Sequence, residues 1–324
     1  MPHVLLAGPI HDDGLKLLRA APGVTLQLVN EISTESYAPF VAEADAILIR
    51  TQPMPAAVIA AAPKLKIVSR HGVGYDAVDE KALTARGIPL AVVGDVNSRA
   101  VAEHTLMLML AAARRTVAHD RATREGGWNI RNRFETIELD GKALLLVGFG
   151  RIGRRVAELA RAFGMRVLAH DPYMSADTIA AQGATPVARL NEALAAADFV
   201  SLHVPLVAGG PVIGARELAA MKPTAILINA ARGGLVDEAA LDSALRSGRL
   251  GGAALDVFAR EPPAMDDPLL GNPGVTLSPH AAGLTAECAA RMGAVSAQNI
   301  LDFFRGKLDP ALVVNASAIG FRQS

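Results

Sequence analysis

Three side chains of different chemistry occupy similar positions in the second half of the 324-residue chain: Arg232, Glu261 and His280. Each follows a short apolar run and precedes glycine, proline or alanine, which is typical of a loop after a buried strand. Ligands of open α/β sheets bind at the carboxyl ends of the strands, so we expect the three side chains to lie at that edge. A cation, a carboxylate and an imidazole there can together hold and protonate an anionic carbonyl compound.

Each of the three residues has a distinct possible role. Arg232 can bind a carboxylate in bidentate fashion and polarise the neighbouring carbonyl. His280 can act as an acid or base near neutral pH, and a carboxylate such as Glu261 can hold one tautomer of the ring and favour its protonated form. Taken singly, they are equally well explained as a surface or capping arginine, a surface glutamate before a turn and a structural histidine. Their occurrence together with an upstream cofactor motif favours the catalytic interpretation.

That cofactor motif is the glycine-rich segment 148–153, which reads Gly-Phe-Gly-Arg-Ile-Gly between an apolar run and a helical pattern. A strand before the motif and a helix after it are the context required for dinucleotide binding. Gly148 permits the tight turn, Gly150 lets the backbone approach a pyrophosphate, and Gly153 allows close packing of helix and strand. The motif therefore predicts a dinucleotide cofactor at the start of this helix.

Asp171 lies 18 residues beyond Gly153, at the end of the next apolar run. A carboxylate at this position binds ribose hydroxyls and repels a 2′-phosphate, so NAD is favoured over NADP. The alternative is a capping aspartate in a turn before Pro172.

The elements that must position these residues alternate between short apolar runs and helical patterns, which predicts parallel sheets covered by helices on both faces. A long apolar helix over about 98–125 indicates a helix between domains or at a subunit interface. A loop over 126–141, a last helix over about 285–304 and a strand-like tail at 311–315 complete the pattern. The predicted strands are 4–7, 24–29, 46–49, 67–69, 90–93, 144–147, 166–169, 199–203, 225–229, 252–255 and 275–277.

Composition narrows the function further. Lys plus Arg equals Asp plus Glu at 32 each, so bulk charge gives no reason to expect a nucleic-acid or membrane partner. Cys288 is the only cysteine, and the N-terminus lacks the basic and apolar regions of a signal peptide, so a cytoplasmic protein is expected. The sequence contains neither a Cys/His cluster with metal-ligand spacing nor a Gly-x-Ser-x-Gly or Gly-Lys-Ser/Thr motif, so we expect no metal site.

In the order of these motifs along the sequence, the chain resembles the D-isomer-specific 2-hydroxyacid dehydrogenases. The resemblance covers nearly the whole chain. The branch that looks most similar contains phosphoglycerate dehydrogenase and hydroxypyruvate reductase. The matching segments are 148–153, Asp171, 203–205, 229–233, 256–262 and 278–280, with N-terminal signatures at 49–50, 72–79 and 97–104.

The resemblance implies two Rossmann-like domains with parallel sheets and a cleft between them. The substrate-binding domain would comprise residues 1–98 and 288–324, and the NAD-binding domain residues 99–287. The implied activity is NAD-dependent interconversion of a small 2-oxo acid and its D-2-hydroxy acid. The helix after Ser98 would help to build a homodimer.

The resemblance also assigns roles to individual residues. Arg232 would bind the substrate, and His280 would be the proton donor, paired with Glu261. Arg50, Val73, Gly74 and Arg232 would form the substrate site, and Asp256 would lie near the nicotinamide amide. The implied cofactor contacts are His104, Gly148, Gly150, Arg151, Ile152, Gly153, Asp171, His203, Val204, Pro205, Ala230, Ala231, Arg232, Asp256, His280 and Gly283.

Some residues depart from the family pattern. His71 stands before the loop 72–74 where a small residue is usual, and the segment 51–54 lacks a lysine that some relatives carry; both weigh against a phosphorylated substrate. Arg50 and Arg99 nevertheless indicate a second anionic group, whether phosphate, sulfonate or carboxylate.

Two other functions fit the same fold. An NAD-sensing protein-binding module, as in the C-terminal-binding-protein corepressors, keeps the same Arg/Glu/His set. Formate dehydrogenase, a related enzyme, would need Gln rather than Glu at position 261.

Overall fold

The computed structural model describes residues 2–206 and 209–322. The chain divides into two compact units, a first unit of Met1–Asn97 and Leu284–Ser324 and a second unit of Ser98–Gly283. The assignment of substrate binding to the first unit and of NAD binding to the second stays a prediction.

The strands and α-helices alternate along most of the chain. The strands are β1 (His3–Ala7), β2 (Thr25–Val29), β3 (Ala46–Ile49), β4 (Ile67–Arg70), β5 (Leu90–Ala91), β6 (Ala143–Val147), β7 (Arg166–His170), β8 (Thr185–Pro186), β9 (Phe199–Leu202), β10 (Ile226–Asn229), β11 (Gly252–Leu255) and β12 (Val275–Leu277). The helices are α1 (Asp12–Ala20), α2 (Thr34–Tyr37), α3 (Ala56–Ala60), α4 (Glu80–Ala85), α5 (Ser98–Ala113), α6 (Thr116–Arg124), α7 (Arg151–Ala162), α8 (Ala176–Ala181), α9 (Leu190–Ala196), α10 (Ala215–Ala220), α11 (Glu238–Arg246), α12 (Ala286–Phe304) and α13 (Ala316–Ile319).

The first unit is built on a five-stranded sheet with the order β2-β1-β3-β4-β5, and all of its strand pairs are parallel. Strand β3 is buried along its whole length, as expected for a strand covered on both faces. Helix α12 packs against α1, where a Cβ on Gly14 would lie 2.5 Å from the carbonyl oxygen of Gly293. Glycine at position 14 is therefore required for the close approach of these two helices.

The second unit contains a seven-stranded parallel sheet with the order β12-β11-β10-β9-β6-β7-β8. Strand β6 lies between β9 and β7, so the strand order reverses there. Such a switch point is where open α/β sheets bind ligands, outside the carboxyl ends of the strands. The predicted α/β class with two Rossmann-like parallel sheets is confirmed.

Three local predictions were wrong. The helix over 98–125 is two helices, because Arg115 adopts a left-handed backbone with φ 49° and the polar α6 has no buried residue to continue the packing of α5. The tail 311–315 is not a strand: Pro310–Leu312 form a 3-10 turn and only Val313 bridges Ala91. The loop over 126–141 contains a 3-10 helix, Trp128–Arg133.

Within the described ranges, no helix is both long and apolar enough to cross a membrane. In the same part of the chain, no three or more His, Cys, Asp or Glu side chains group as a metal site would require.

Candidate active site in the second unit

The three candidate catalytic residues follow three adjacent strands of the second sheet. Arg232 comes after β10, Glu261 after β11 and His280 after β12, and these strands are neighbours in the order β12-β11-β10. Because all three strands are parallel, their carboxyl ends lie at the same edge. The topology thus explains how residues separated by tens of positions in sequence come to one edge of the sheet.

His280 and Glu261 form a direct pair, with Nδ1 of the ring 2.5 Å from Oε2 of the carboxylate. The other carboxylate oxygen accepts the backbone N–H of Phe258 at 3.0 Å. Burial raises the pKa of Glu261, but the hydrogen bonds from His280 and Phe258 outweigh it and leave the pKa below its usual value. An ionised Glu261 fixes the ring orientation, so Nε2 is the nitrogen that can exchange a proton with a substrate.

The backbone of His280 is held in the left-handed region at φ 51°. Its N–H donates to the carbonyl oxygen of Asp256 at 2.7 Å. The fully buried carboxylate of Asp256 accepts the Ser278 hydroxyl at 2.5 Å and the N–H groups of Ala281 and Ala282, each at 2.9 Å. A non-glycine residue in this region is rare unless its surroundings fix it, and Asp256 provides that restraint.

His104 completes the network around Asp256. Its Nε2 lies 2.9 Å from the Ser278 hydroxyl and 3.3 Å from Oδ1 of Asp256. Burial raises the pKa of Asp256, whereas His104, Ser278 and two backbone amides lower it, and the net direction is downward. The sequence did not single out Ser278 as a functional residue, although it is the first residue of the Ser-Pro-His run. The predicted contacts of His104 and Asp256 with the cofactor stay predictions.

Arg232 begins a tight turn, since Gly233–Leu235 form a 3-10 helix directly after it. Its guanidinium donates to the carbonyl oxygen of Ala231 at 2.7 Å, and its own carbonyl oxygen accepts the Asn229 amide at 2.7 Å. A Cβ on Gly233 would lie 1.8 Å from the carbonyl oxygen of Phe258. The turn that carries Arg232 therefore packs directly on the loop whose Phe258 is bound by Glu261.

The glycine-rich segment has the geometry that a dinucleotide requires. Gly148 has φ 95°, and a Cβ there would lie 2.6 Å from the carbonyl oxygen of His203. A Cβ on Gly153 would lie 2.4 Å from the carbonyl oxygen of Gly148, whereas a Cβ on Gly150 would meet no atom within 4 Å. Gly148 and Gly153 are thus fixed by the fold and Gly150 leaves room at the start of the 12-residue helix α7, so the segment fits a pyrophosphate.

Asp171 follows β7 and binds the glycine-rich loop. Its Oδ2 accepts the N–H of Phe149 and its Oδ1 accepts the N–H of Tyr173, both at 2.9 Å. The capping turn considered as the alternative is therefore present. Each carboxylate oxygen retains a further acceptor position, so the turn is compatible with ribose hydroxyls as additional donors.

His203 directly follows β9, the strand next to β6, and its Nε2 lies 2.9 Å from the Ser201 hydroxyl. Burial lowers the pKa of His203 to about 4, so the ring is neutral at physiological pH. The other predicted cofactor residues lie at strand ends and at the helix start, and their contacts with the cofactor stay predictions. Arg151 and Ile152 begin α7, Val204 and Pro205 follow β9, Ala230 and Ala231 follow β10, and Gly283 is the last residue of the second unit.

The predicted substrate residues Arg50, Val73 and Gly74 lie in the first unit, just after β3 and β4. Arg50 donates to the carbonyl oxygen of Pro9 at 3.1 Å, and burial lowers its pKa. Sequence reasoning missed one buried polar neighbour of this region, Gln52.

Comparison with known proteins gives consistent matches. Residues 106–282 match the family model for the D-isomer specific 2-hydroxyacid dehydrogenase, NAD binding domain. The chain is 39% identical over 310 residues to the D-3-phosphoglycerate dehydrogenase of Methanocaldococcus jannaschii, covering 95% of this chain and 58% of that protein. It is 43% identical over 278 residues to the glyoxylate reductase of Korarchaeum cryptofilum, covering 84% and 83%.

Solved structures are also similar to this chain. The TT0316 protein of Thermus thermophilus superimposes with a TM-score of 0.88 at 34% identity, covering 96% of this chain and 99% of that one. The NADPH-dependent glyoxylate/hydroxypyruvate reductase of Sinorhizobium meliloti, solved with citrate, gives a TM-score of 0.84 at 29% identity, covering 99% and 100%. The chain spans less than two thirds of the length of the phosphoglycerate dehydrogenase from Methanocaldococcus jannaschii.

Proposed function

Because the chain belongs to the D-isomer-specific 2-hydroxyacid dehydrogenase family, we propose that it interconverts a small 2-oxo acid and the D-2-hydroxy acid with NAD. The observation that carries this proposal is the pair formed by His280 and Glu261, 2.5 Å apart on loops that follow adjacent strands. An imidazole oriented by an ionised carboxylate is suited to donate a proton to a carbonyl oxygen that gains negative charge.

The residues of the chain divide the chemistry between them. A bound nicotinamide cofactor supplies the hydride to C2 in the direction of reduction. Arg232 binds the carboxylate and draws charge toward the carbonyl oxygen. His280 delivers a proton from Nε2 to that oxygen, and Glu261 stabilises the protonated ring before the transfer. In the direction of oxidation the neutral ring of His280 accepts the hydroxyl proton.

The cofactor we propose is NAD rather than NADP. The support is the carboxylate of Asp171, which follows β7 and lies against the glycine-rich loop at the position where a 2′-phosphate would be repelled. Gly148, Gly150 and Gly153 would bring backbone N–H groups to the pyrophosphate.

We further propose a cytoplasmic homodimer. The single cysteine fits a reducing compartment. Within the second unit, helices α5 and α7 share an open apolar groove, and Met107 on its rim is 44% exposed. Contiguous apolar surface of this kind is typical of a subunit interface. Sedimentation equilibrium of the purified chain tests the proposal, and a monomer at micromolar concentration would contradict it. The groove is lined by Glu103, Leu106, Met107, Leu110, Ala111, Thr116, Leu159 and Phe163.

The variant His280→Ala tests the catalytic assignment. We expect its kcat to fall by about 10²–10⁴-fold, which is the usual contribution of a positioned acid or base. NADH binding, measured by fluorescence titration, should stay nearly intact. His119→Ala, on the separate helix α6, is the matched control. A kcat close to that of the unmodified protein would show that His280 is not the proton donor.

A panel of glyoxylate, pyruvate, hydroxypyruvate and phosphohydroxypyruvate with NADH tests the activity itself. Oxidation of NADH with at least one of them is expected. If none is reduced while NADH still binds, the chain is better explained as an NAD-sensing binding module.

A further inference from the structure

The loop that carries Glu261 is held by side chains rather than by the backbone of a neighbouring strand. Between residues 257 and 263, the described backbone N–H groups form no hydrogen bond with a backbone carbonyl oxygen. Two N–H groups of the loop donate to carboxylates instead: that of Phe258 to Glu261 at 3.0 Å and that of Ala259 to Glu238 at 2.6 Å. Because Glu261 belongs to the loop itself, Glu238 is the carboxylate that fixes the loop from outside.

Glu238 lies on a part of the backbone that is itself fixed. It is the first residue of α11, and Asp237 caps this helix by accepting the N–H of Ala240 at 3.0 Å. The N–H of Asp237 donates to the carbonyl oxygen of Ile213 at 2.9 Å. Neither bond involves the loop 257–263, so the loop is anchored to a helix start that is held independently of it.

The segment that ends at Glu238 begins with the turn of Arg232. Directly after Arg232, a Cβ on Gly233 would lie 1.8 Å from the carbonyl oxygen of Phe258 and 2.4 Å from the amide nitrogen of Ala259. The peptide group between Phe258 and Ala259 is thus packed against Gly233 and hydrogen-bonded through its N–H to Glu238. One peptide group therefore joins the turn of Arg232 to the loop.

The charges around Glu238 show that the hydrogen bond accounts for its place. Burial raises the pKa of Glu238, the hydrogen bond from Ala259 opposes this, and the negative charges of Asp267 and Glu261 raise the pKa further. The neighbouring charges thus disfavour an ionised Glu238, whereas the N–H of Ala259 favours it. The side chain consequently acts as a hydrogen-bond acceptor for the loop and not as a member of an ion pair.

We propose that Glu238 is a positioning residue, which holds the N–H of Ala259, locks the loop against the turn of Arg232 and so keeps Glu261 beside Nδ1 of His280. The proposal rests on the proposed function, in which His280 donates the proton and Arg232 binds the acid. Glu238 acts through the loop and does not touch the reacting atoms. Without its hydrogen bond, the carboxylate that orients the imidazole loses a fixed position, and proton transfer depends steeply on such geometry.

The first experiment separates the reach of the side chain from its charge. Glu238→Gln keeps the length and an acceptor oxygen but removes the charge, whereas Glu238→Asp keeps the charge and withdraws the carboxylate by one methylene group. Glu238→Ala removes both. We expect kcat to fall by about 3–10-fold in the Asp and Ala variants, the range of one net hydrogen bond, and to stay within about twofold in Glu238→Gln.

Steady-state kinetics with NADH and the fastest substrate among glyoxylate, pyruvate, hydroxypyruvate and phosphohydroxypyruvate measures these effects. The loss should appear in kcat with little change in KM, because the substrate-binding Arg232 is retained. Glu192→Ala, which removes an acidic side chain from the first turn of α9, is the matched control. Retained kcat in Glu238→Asp with a loss in Glu238→Gln would overturn the proposal, because the charge would then matter and the hydrogen bond would not.

A double-mutant cycle tests whether Glu238 acts through Glu261. In a Glu261→Ala background, adding Glu238→Ala should lower kcat by less than about twofold, because residues that act through one another are not additive. The same loss in both backgrounds would overturn the proposal, since Glu238 would then support the fold in general.

The outcomes also distinguish the positioning role from the proposed function. Unchanged kcat in both Glu238→Ala and Glu238→Asp, while the unmodified protein reduces a 2-oxo acid, would refute the role of Glu238 and leave the dehydrogenase function standing. Lack of NADH oxidation by the unmodified protein with every acid would refute the function and the positioning role together.

Discussion

Replacing Glu261 by glutamine tests how the carboxylate supports the proton donor. Glu261→Gln keeps the shape of the side chain and an acceptor for the N–H of Phe258, but it removes the negative charge 2.5 Å from Nδ1 of His280. The protonated ring then loses its counter-ion, whereas the neutral ring retains a hydrogen-bond partner. The change should therefore act on the proton donor more than on the fold.

The magnitude follows from the exposure of the pair. Hydrogen bonds to charged groups contribute about 1.5–3 kcal/mol when buried, and exposed ion pairs about 0.2–1 kcal/mol. The side chains of His280 and Glu261 are 43% and 35% exposed, which places the pair between these limits at about 1–2 kcal/mol. Since 1.36 kcal/mol corresponds to one pH unit and to a factor of 10, kcat for reduction at pH 7.5 should fall by about 5–30-fold.

The separation of kcat from KM is the decisive assay. In Glu261→Gln the loss should appear in kcat, and KM for the 2-oxo acid should change little, because Glu261 supports the proton donor and does not bind the substrate. Initial rates of NADH oxidation at several substrate concentrations measure both constants, and Glu192→Gln, an exposed acidic position, serves as control. An unchanged kcat would refute the electrostatic role of Glu261.

Two further predictions concern the cofactor loop and the effect of pH on stability. In Asp171→Ala, the ratio of kcat/KM with NADPH to kcat/KM with NADH should rise by about 10-fold, because the carboxylate that repels the 2′-phosphate is lost. Steady-state kinetics with both cofactors measures this ratio, and an unchanged ratio would contradict the role of Asp171. His71 and His203 have pKa values of about 4 in the folded protein and about 6.5 in the unfolded chain. Between pH 6.5 and pH 4 the unfolded state therefore binds more protons than the folded state, so the free energy of unfolding falls as the pH is lowered. At pH 5 the loss should reach up to about 2 kcal/mol for the well-buried His71 and less for His203, which is partly exposed, measured by urea unfolding at pH 7.5, 6 and 5. In His71→Phe the decline should be shallower, and an identical decline would exclude His71 as its source.

Much of the fold and the catalytic pair could be read from sequence because their signals are local. Buried parallel strands are continuous apolar runs, and most of the predicted strand ends lie within one or two residues of those observed. The loop positions of Arg232, Glu261 and His280 follow from where these runs end. The strand β8 was not predicted, because two residues are too few to produce a hydrophobic pattern.

Other features depend on contacts that no local pattern encodes. The break at Arg115 arises because α5 is held by tertiary packing while α6 offers no buried residue to extend it. Ser278 gains its role only from the buried Asp256, which the fold brings from 22 residues away. His71 was recognised as a departure from the family pattern, but its burial could not be inferred from sequence.

The two units differ in how completely their buried polar groups are satisfied. The second unit holds the glycine-rich segment and the pair of His280 and Glu261, and in this pair the charges and hydrogen bonds are mutually satisfied. The first unit instead leaves the amide atoms of Gln52 and Nε2 of His71 unsatisfied within the described protein, at a free-energy cost that a bound ligand or water can recover. All described partners of His280 and Glu261 belong to the second unit, so substitutions at positions 52 and 71 should leave the proton donor and its carboxylate unaltered.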